Sequence, residues 1–123
     1  MWQLGSLETE VMESVWAADG PVSVRQIVSA LNGQRSRPLA YTTVMTTMDK
    51  LHRKRWLTRT RDGRRYVYEP SASREACAAR IITRVLNDSG SPEAVLMHFV
   101  GQLEASGSAE LQAAVRRVLA TEQ

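Results

Sequence analysis

The chain has 123 residues, 43% of them hydrophobic and 24% charged, with 16 basic against 13 acidic side chains for a net charge of +3. That is the size of one domain, or of a small domain with a helical appendage, and the balance of an ordinary globular protein. No apolar run approaches the ~20 residues that cross a bilayer, Met1-Trp2-Gln3-Leu4-Gly5 lacks the parts of a signal peptide, and the single cysteine, Cys77, excludes an internal disulfide and a multi-cysteine metal site. A cytoplasmic protein without membrane insertion is expected.

The first predicted element is a helix opened by Ser6 as cap, with Glu8 and Glu10 in its first turn where carboxylates suit the positive helix end. Leu4, Leu7, Val11 and Val15 recur at helical spacing, widened by Met12 and Trp16. Asp19-Gly20-Pro21 stops it. Val22 and Ser23 form a short lead-in strand. Ser23-Val24-Arg25-Gln26 then reads as a capping box, with Gln26 three residues after Ser23. Val24, Ile27, Val28 and Leu31 line the buried side of this second helix, which Asn32-Gly33 ends.

After a polar connection from Gln34 to Pro38, a third helix is predicted from about Ala40 to Lys54. Tyr41, Val44, Met48 and Leu51 share one face, and Tyr41 is expected to pack in the core. The opposite face carries Thr42, Thr46, Asp49, Lys50 and Arg53, with Thr43 on its flank. Four threonines oppose helix propensity, because β-branched side chains lose rotamer freedom there. A helix that keeps them is using their hydroxyl and methyl groups. Two β-rich runs follow, 56–61 and 64–70, around Asp62-Gly63, a dipeptide that suits a tight hairpin turn. Tyr66 and Tyr68 face one way and Val67 the other, with Trp56 and Leu57 beneath. Helix, helix, helix, hairpin is the order of a winged helix-turn-helix.

Beyond Pro70 three more helices are predicted. Ser73 caps one through Cys77, Ile81, Ile82, Val85 and Leu86. Ser91-Pro92-Glu93 starts the next, which carries Val95, Leu96, Phe99, Val100 and Leu103 and breaks at Gly107. Ser108 and Glu110 open the last, with Leu111, Val115, Val118 and Leu119. About fifty residues have too little interior to bury so many apolar side chains. A second identical chain is the simplest partner. The expected fold is mainly α with a small β-hairpin: a winged-helix DNA-binding domain over 1–72 and a helical dimerisation domain over 73–123. The residues expected to hold the dimer are Ile81, Val85, Leu96, Phe99, Val100, Leu103, Leu111, Val115 and Val118.

Charge is distributed unevenly. Between Arg35 and Arg65 stand ten basic residues against two acidic ones, while from Ser73 onward five arginines meet six acids. A basic segment between near-neutral ends suggests a face for a polyanion. A helix of ~10–12 Å diameter fits the major groove of B-DNA. Thr42, Thr43, Thr46 and Lys50 are the expected base readers, since hydroxyls, a methyl group and an ammonium can each meet base edges. Arg53 and Lys54 at the helix end are expected to meet phosphates, and Arg64 and Arg65 at the wing tip the backbone or an adjacent minor groove; phosphate contacts set affinity and register. The expected partner is double-stranded DNA, bound by a homodimer at a pseudo-palindromic operator with half-sites one helical turn or a multiple apart.

These residues also carry a resemblance. The stretch Leu7-Glu8-Thr9-Glu10-Val11-Met12-Glu13-Ser14-Val15-Trp16, the threonine helix followed by Leu51-His52-Arg53-Lys54, the wing Tyr66-Val67-Tyr68 and the segment Val95-Leu96-Met97-His98-Phe99-Val100 resemble the penicillinase-repressor family of BlaI and MecI type. The similarity runs from about Leu4 to Leu119, and Tyr41-Thr42-Thr43-Val44-Met45-Thr46-Thr47 is close to an actinobacterial spelling. The resemblance implies a homodimeric transcriptional repressor of β-lactamase and sensor genes. It implies release by proteolysis in the C-terminal domain, with a membrane sensor-protease or a protease downstream of it as partner. The family's scissile Asn-Phe pair falls on His98-Phe99, where the phenylalanine matches and the asparagine does not. Arg55 stands where the family has a helix-ending glycine. The copper-responsive branch carries cysteines near its C-terminus that are missing here, so neither metal nor other cofactor is expected.

No catalytic residues emerge. His52 and His98 lie in different regions outside any metal-ligand spacing, and Cys77 sits among alanines as a small hydrophobe. An enzyme is not expected. The alternatives are a winged-helix regulator released by a small ligand, and a winged-helix adaptor that binds protein instead of DNA.

Overall fold

The structure, a computed structural model, describes residues 1–121. The chain forms six helices and three strands among these residues: α1 (Ser6–Ala17), β1 (Val22–Ser23), α2 (Val24–Asn32), α3 (Tyr41–Arg53), β2 (Leu57–Asp62), β3 (Arg65–Pro70), α4 (Arg74–Asp88), α5 (Pro92–Ser106) and α6 (Ala109–Thr121). They divide into two compact units, residues 1–78 and 79–123, of which the last two positions lie outside the described residues. The expected class, mainly helical with a small antiparallel sheet in a winged helix-turn-helix, is the observed one.

In the first unit α1, α2 and α3 pack around one core closed by the sheet. Val11, Met12, Val15, Ile27, Val44, Met48, Leu51, Leu57 and Tyr68 are its buried members. The sheet has the order β1-β3-β2, antiparallel throughout. The lead-in strand is therefore a third member of the wing sheet, with Val22 opposite Tyr68. Trp2, Trp16 and Trp56 gather at 5.1–6.3 Å between ring centroids. The indole N–H of Trp16 donates to the Ala72 carbonyl at 3.1 Å. The guanidinium of Arg74 pairs with Glu13 at 3.0 Å, and Cys77 is buried. These contacts dock the chain leaving the wing against α1.

Three local expectations are corrected. Ser6 does not cap α1; Gly5 holds that position, and Glu8 reaches back to accept the Gly5 N–H at 3.2 Å, so Ser6 is the first helical residue. The hairpin turn is displaced by one residue. Asp62 pairs with Arg65, leaving Gly63-Arg64 as the loop, and only Gly63 has positive φ (66°). Glycine first in a two-residue loop is the other favoured hairpin geometry, and it lets Asp62 stay in the ladder. Tyr41 is not core: it is 45% exposed, because as the first residue of α3 it overhangs the end of the packed layer.

Of the serine caps expected beyond the wing, Ser91 holds the N-cap position of α5 without a side-chain cap bond, and the other two form. Ser73 Oγ accepts the Ala76 N–H, starting α4 in the first unit, and Ser108 Oγ accepts the Leu111 N–H to start α6. Gln112 reaches back from α6 to the end of α5, its amide nitrogen 3.1–3.3 Å from the carbonyls of Leu103, Glu104 and Gly107. Gly107 makes this turn tight; a Cβ there would lie 2.5 Å from the Leu103 carbonyl oxygen. No described residue of α5 or α6 is buried. Among the described residues, no helix is long and apolar enough to cross a membrane.

Candidate nucleic-acid interface

The candidate interface is built on α3 and the wing. Val44, Thr47, Met48 and Leu51 are buried and fix the rotation of α3. Its position along the core is set at both ends. At the start, the Asn32 side chain accepts from the Leu39 N–H at 2.8 Å and donates to the Leu39 carbonyl at 3.1 Å. At the end, the Trp56 N–H bonds the Leu51 carbonyl and the Arg55 N–H bonds the His52 carbonyl. That pairing is a Schellman termination, which needs a left-handed residue. Arg55 supplies it with φ 68°.

Rotation and position leave Thr42, Thr43, Thr46, Lys50 and Arg53 exposed on one side of the helix. Tyr41 and Met45, which sequence reasoning did not assign to a site, are 45% and 41% exposed on the same helix. Arg64 and Arg65 are exposed at the wing turn, where Arg65 lies 3.4 Å from Asp62. Between helix and wing runs a cleft of about 290 Å³ lined by Arg25, Tyr41, Met45, Arg64, Arg65 and Tyr66, among others. The Arg25 guanidinium sits 5.9 Å from the Tyr41 ring. Arg25 lies in a helix that the sequence reading used only for packing, so the missed signal was spatial.

Not every cation of the basic segment is available. Arg35 pairs with Glu10 at 2.7 Å. Lys54 pairs with Glu8 at 2.8 Å. The Lys54 ammonium hydrogen-bonded to Glu8 holds that carboxyl below its usual range, against some opposing burial. Asp49 takes two arginines, Arg53 at 2.9 Å and Arg59 at 3.0 Å. Arg59 in turn stands 4.1 Å from the Tyr66 ring centroid. Its pKa is raised, first by hydrogen bonding with Tyr68 and then by Asp49.

The residues expected to hold a dimer all lie in the second unit. Val85, Leu96, Phe99, Leu111 and Val118 are 46–63% exposed. Ile81, Val100, Leu103 and Val115 are half-buried. His98 and Phe99 lie inside α5, both exposed.

Comparison with known proteins agrees with this architecture. The model of the family described as penicillinase repressor matches residues 4–117. The transcriptional regulator BlaI of Mycobacterium tuberculosis, in strains CDC 1551 and H37Rv, is 40% identical over 121 residues, covering 96% of this chain and 83% of that protein. Among solved structures, the DNA-binding domain of the repressor BlaI is similar at a TM-score of 0.51 and 24% identity, covering 58% of this chain and 84% of that one. MepR, a transcription regulator of the Staphylococcus aureus efflux pump MepA, is similar at 0.51 and 18% identity, covering 99% and 82%. These two structural likenesses speak to fold.

Proposed function

Because the chain belongs to the penicillinase repressor family, and is by that membership a winged-helix DNA-binding transcriptional repressor rather than an enzyme, we propose that it works as a homodimer on pseudo-palindromic operators of β-lactam-resistance genes. In this reading Thr42, Thr43, Thr46 and Lys50 read bases. Arg53, Lys54, Arg64 and Arg65 hold phosphates, with Lys54 exchanging Glu8 for DNA. The observation that carries the reading is the bare threonine and lysine side of α3, beside buried Val44, Met48 and Leu51 and next to the arginines of the wing.

The functional parts are then a DNA-binding domain over 1–72 and a dimerisation domain over 73–123. Dimerisation is supported by the apolar side chains that α4, α5 and α6 leave exposed. At ~25 cal/mol per Å² of apolar surface, burying them against a second copy would stabilise these helices. Release would follow cutting at His98-Phe99 by a membrane sensor-protease or a protease downstream of it. Proteases need extended backbone, so α5 must unwind locally first. Losing the dimer then costs each head the effective concentration supplied by the other.

The test is binding of a duplex that the protein selects from a randomised library, against a scrambled duplex, across a salt series. The log of the affinity should fall with a slope of about −0.9 per phosphate contact. Thr46→Ala should narrow the ratio between selected and scrambled DNA. An unchanged ratio would refute the assigned reading side, and absence of any selected sequence would favour a protein-binding adaptor.

A further inference from the structure

Asp49 is the only acidic residue of α3. It stands on the side that, in the proposed reading, approaches a polyanion. An uncommitted carboxylate there would simply oppose binding. This one is committed on both oxygens: Oδ1 accepts from Arg59 Nη1 at 3.0 Å, and Oδ2 lies 2.9 Å from Arg53 Nη2. The two halves differ in shelter. The Arg59 side chain is 23% exposed and the Arg53 side chain 76%. Arg59 is also stacked on Tyr66 at 4.1 Å. Asp49, Arg59 and Tyr66 line one cleft of about 320 Å³ with Met45, Thr46 and Tyr68. The chain Asp49–Arg59–Tyr66 thus joins α3 to both long strands of the wing.

We infer that Asp49 is a positioning residue of the DNA-binding face, which sets the wing's distance from α3 through Arg59 and holds Arg53 until a phosphate takes it. The inference rests on the proposed DNA face. Two consequences follow from the charges. The sheltered Arg59 contact persists in the complex, so the wing arginines meet the backbone only where the groove has the register that α3 recognises. The exposed Arg53 contact exchanges, and the Asp49 charge then penalises DNA that does not compensate with a full set of contacts. Asp49 weakens binding to all DNA and weakens it most for the wrong DNA.

The test compares wild type, Asp49→Asn, Arg59→Lys and the double variant on the selected and scrambled duplexes, with thermal melting followed in parallel. Asp49→Asn should tighten binding to scrambled DNA and lower the selected-to-scrambled ratio by about threefold or more. Arg59→Lys keeps the charge but loses the planar fork that both pairs and stacks. It should lower the ratio through weaker selected binding, which a charge effect alone would not do. The double variant should be no worse in ratio than Asp49→Asn, since both break one link. Ratios equal to wild type in both single variants, whatever their melting temperatures, would overturn the inference. A wild type that does not separate the two duplexes would overturn the reading of the face itself, and the inference with it.

Discussion

Arg55 shows how much a single residue can store. Its left-handed backbone, φ 68°, is demanded by the termination of α3, yet its Cβ opposes it. Arg55→Gly should raise the urea midpoint of the first unit by the equivalent of about 1 kcal/mol with an unchanged m-value. A lowered midpoint would mean that the arginine side chain contributes more than its backbone costs. Glu8 and Glu13 are the corresponding residues for pH. Hydrogen bonding to Lys54 depresses the first, and hydrogen bonding to Arg74, then to Trp2, depresses the second. The unfolded chain therefore binds more protons in acid, so their stabilisation is complete above the ordinary glutamate range near pH ~4.3 and is lost as pH falls through the lower folded values. Glu8→Gln should flatten that acid limb and converge with wild type only as pH falls through the lowered folded-state value; an unchanged limb would contradict the pairing. Tyr41 marks what residue patterning misses. Its wheel position matches Val44 and Met48, but the first residue of a helix has no preceding turn to be packed beside.

At the level of elements, the helices were legible because apolar periodicity and caps agree: Ser23 with Gln26, Ser73 and Ser108 all make the side-chain bonds their positions suggest. The wing was legible as a hairpin but not in register, since Asp-Gly and Gly-Arg are both plausible loops until β1 is known to pair with β3. Long-range ion pairs left no local trace; Lys54 with Glu8 spans 46 residues. Gly63 carries the turn, and Gly63→Ala, with φ near 66° and nothing crowding its Cβ, should cost about 1 kcal/mol of stability through backbone strain alone. The wing's proposed task is electrostatic. Arg64→Ala or Arg65→Ala should weaken selected and scrambled DNA alike and reduce the salt slope by about 1 each. A loss confined to the selected duplex would place that arginine on base edges instead.

For the whole molecule, the division of labour follows from where apolar surface ends up. The first unit buries its core within itself, whereas α5 and α6 contribute no buried side chain among the described residues. Composition already pointed there, because the last fifty residues hold more apolar side chains than so short a segment can enclose. What composition could not give is the distance between the two reading helices of the proposed dimer, since that depends on how two chains would meet. The most direct test is hydroxyl-radical footprinting of the purified protein on its selected duplex. A two-headed repressor should leave two protected patches related by a two-fold axis, their centres ~10 base pairs or a whole multiple apart. A single patch at saturating protein, or two patches without symmetry, would contradict a two-headed repressor.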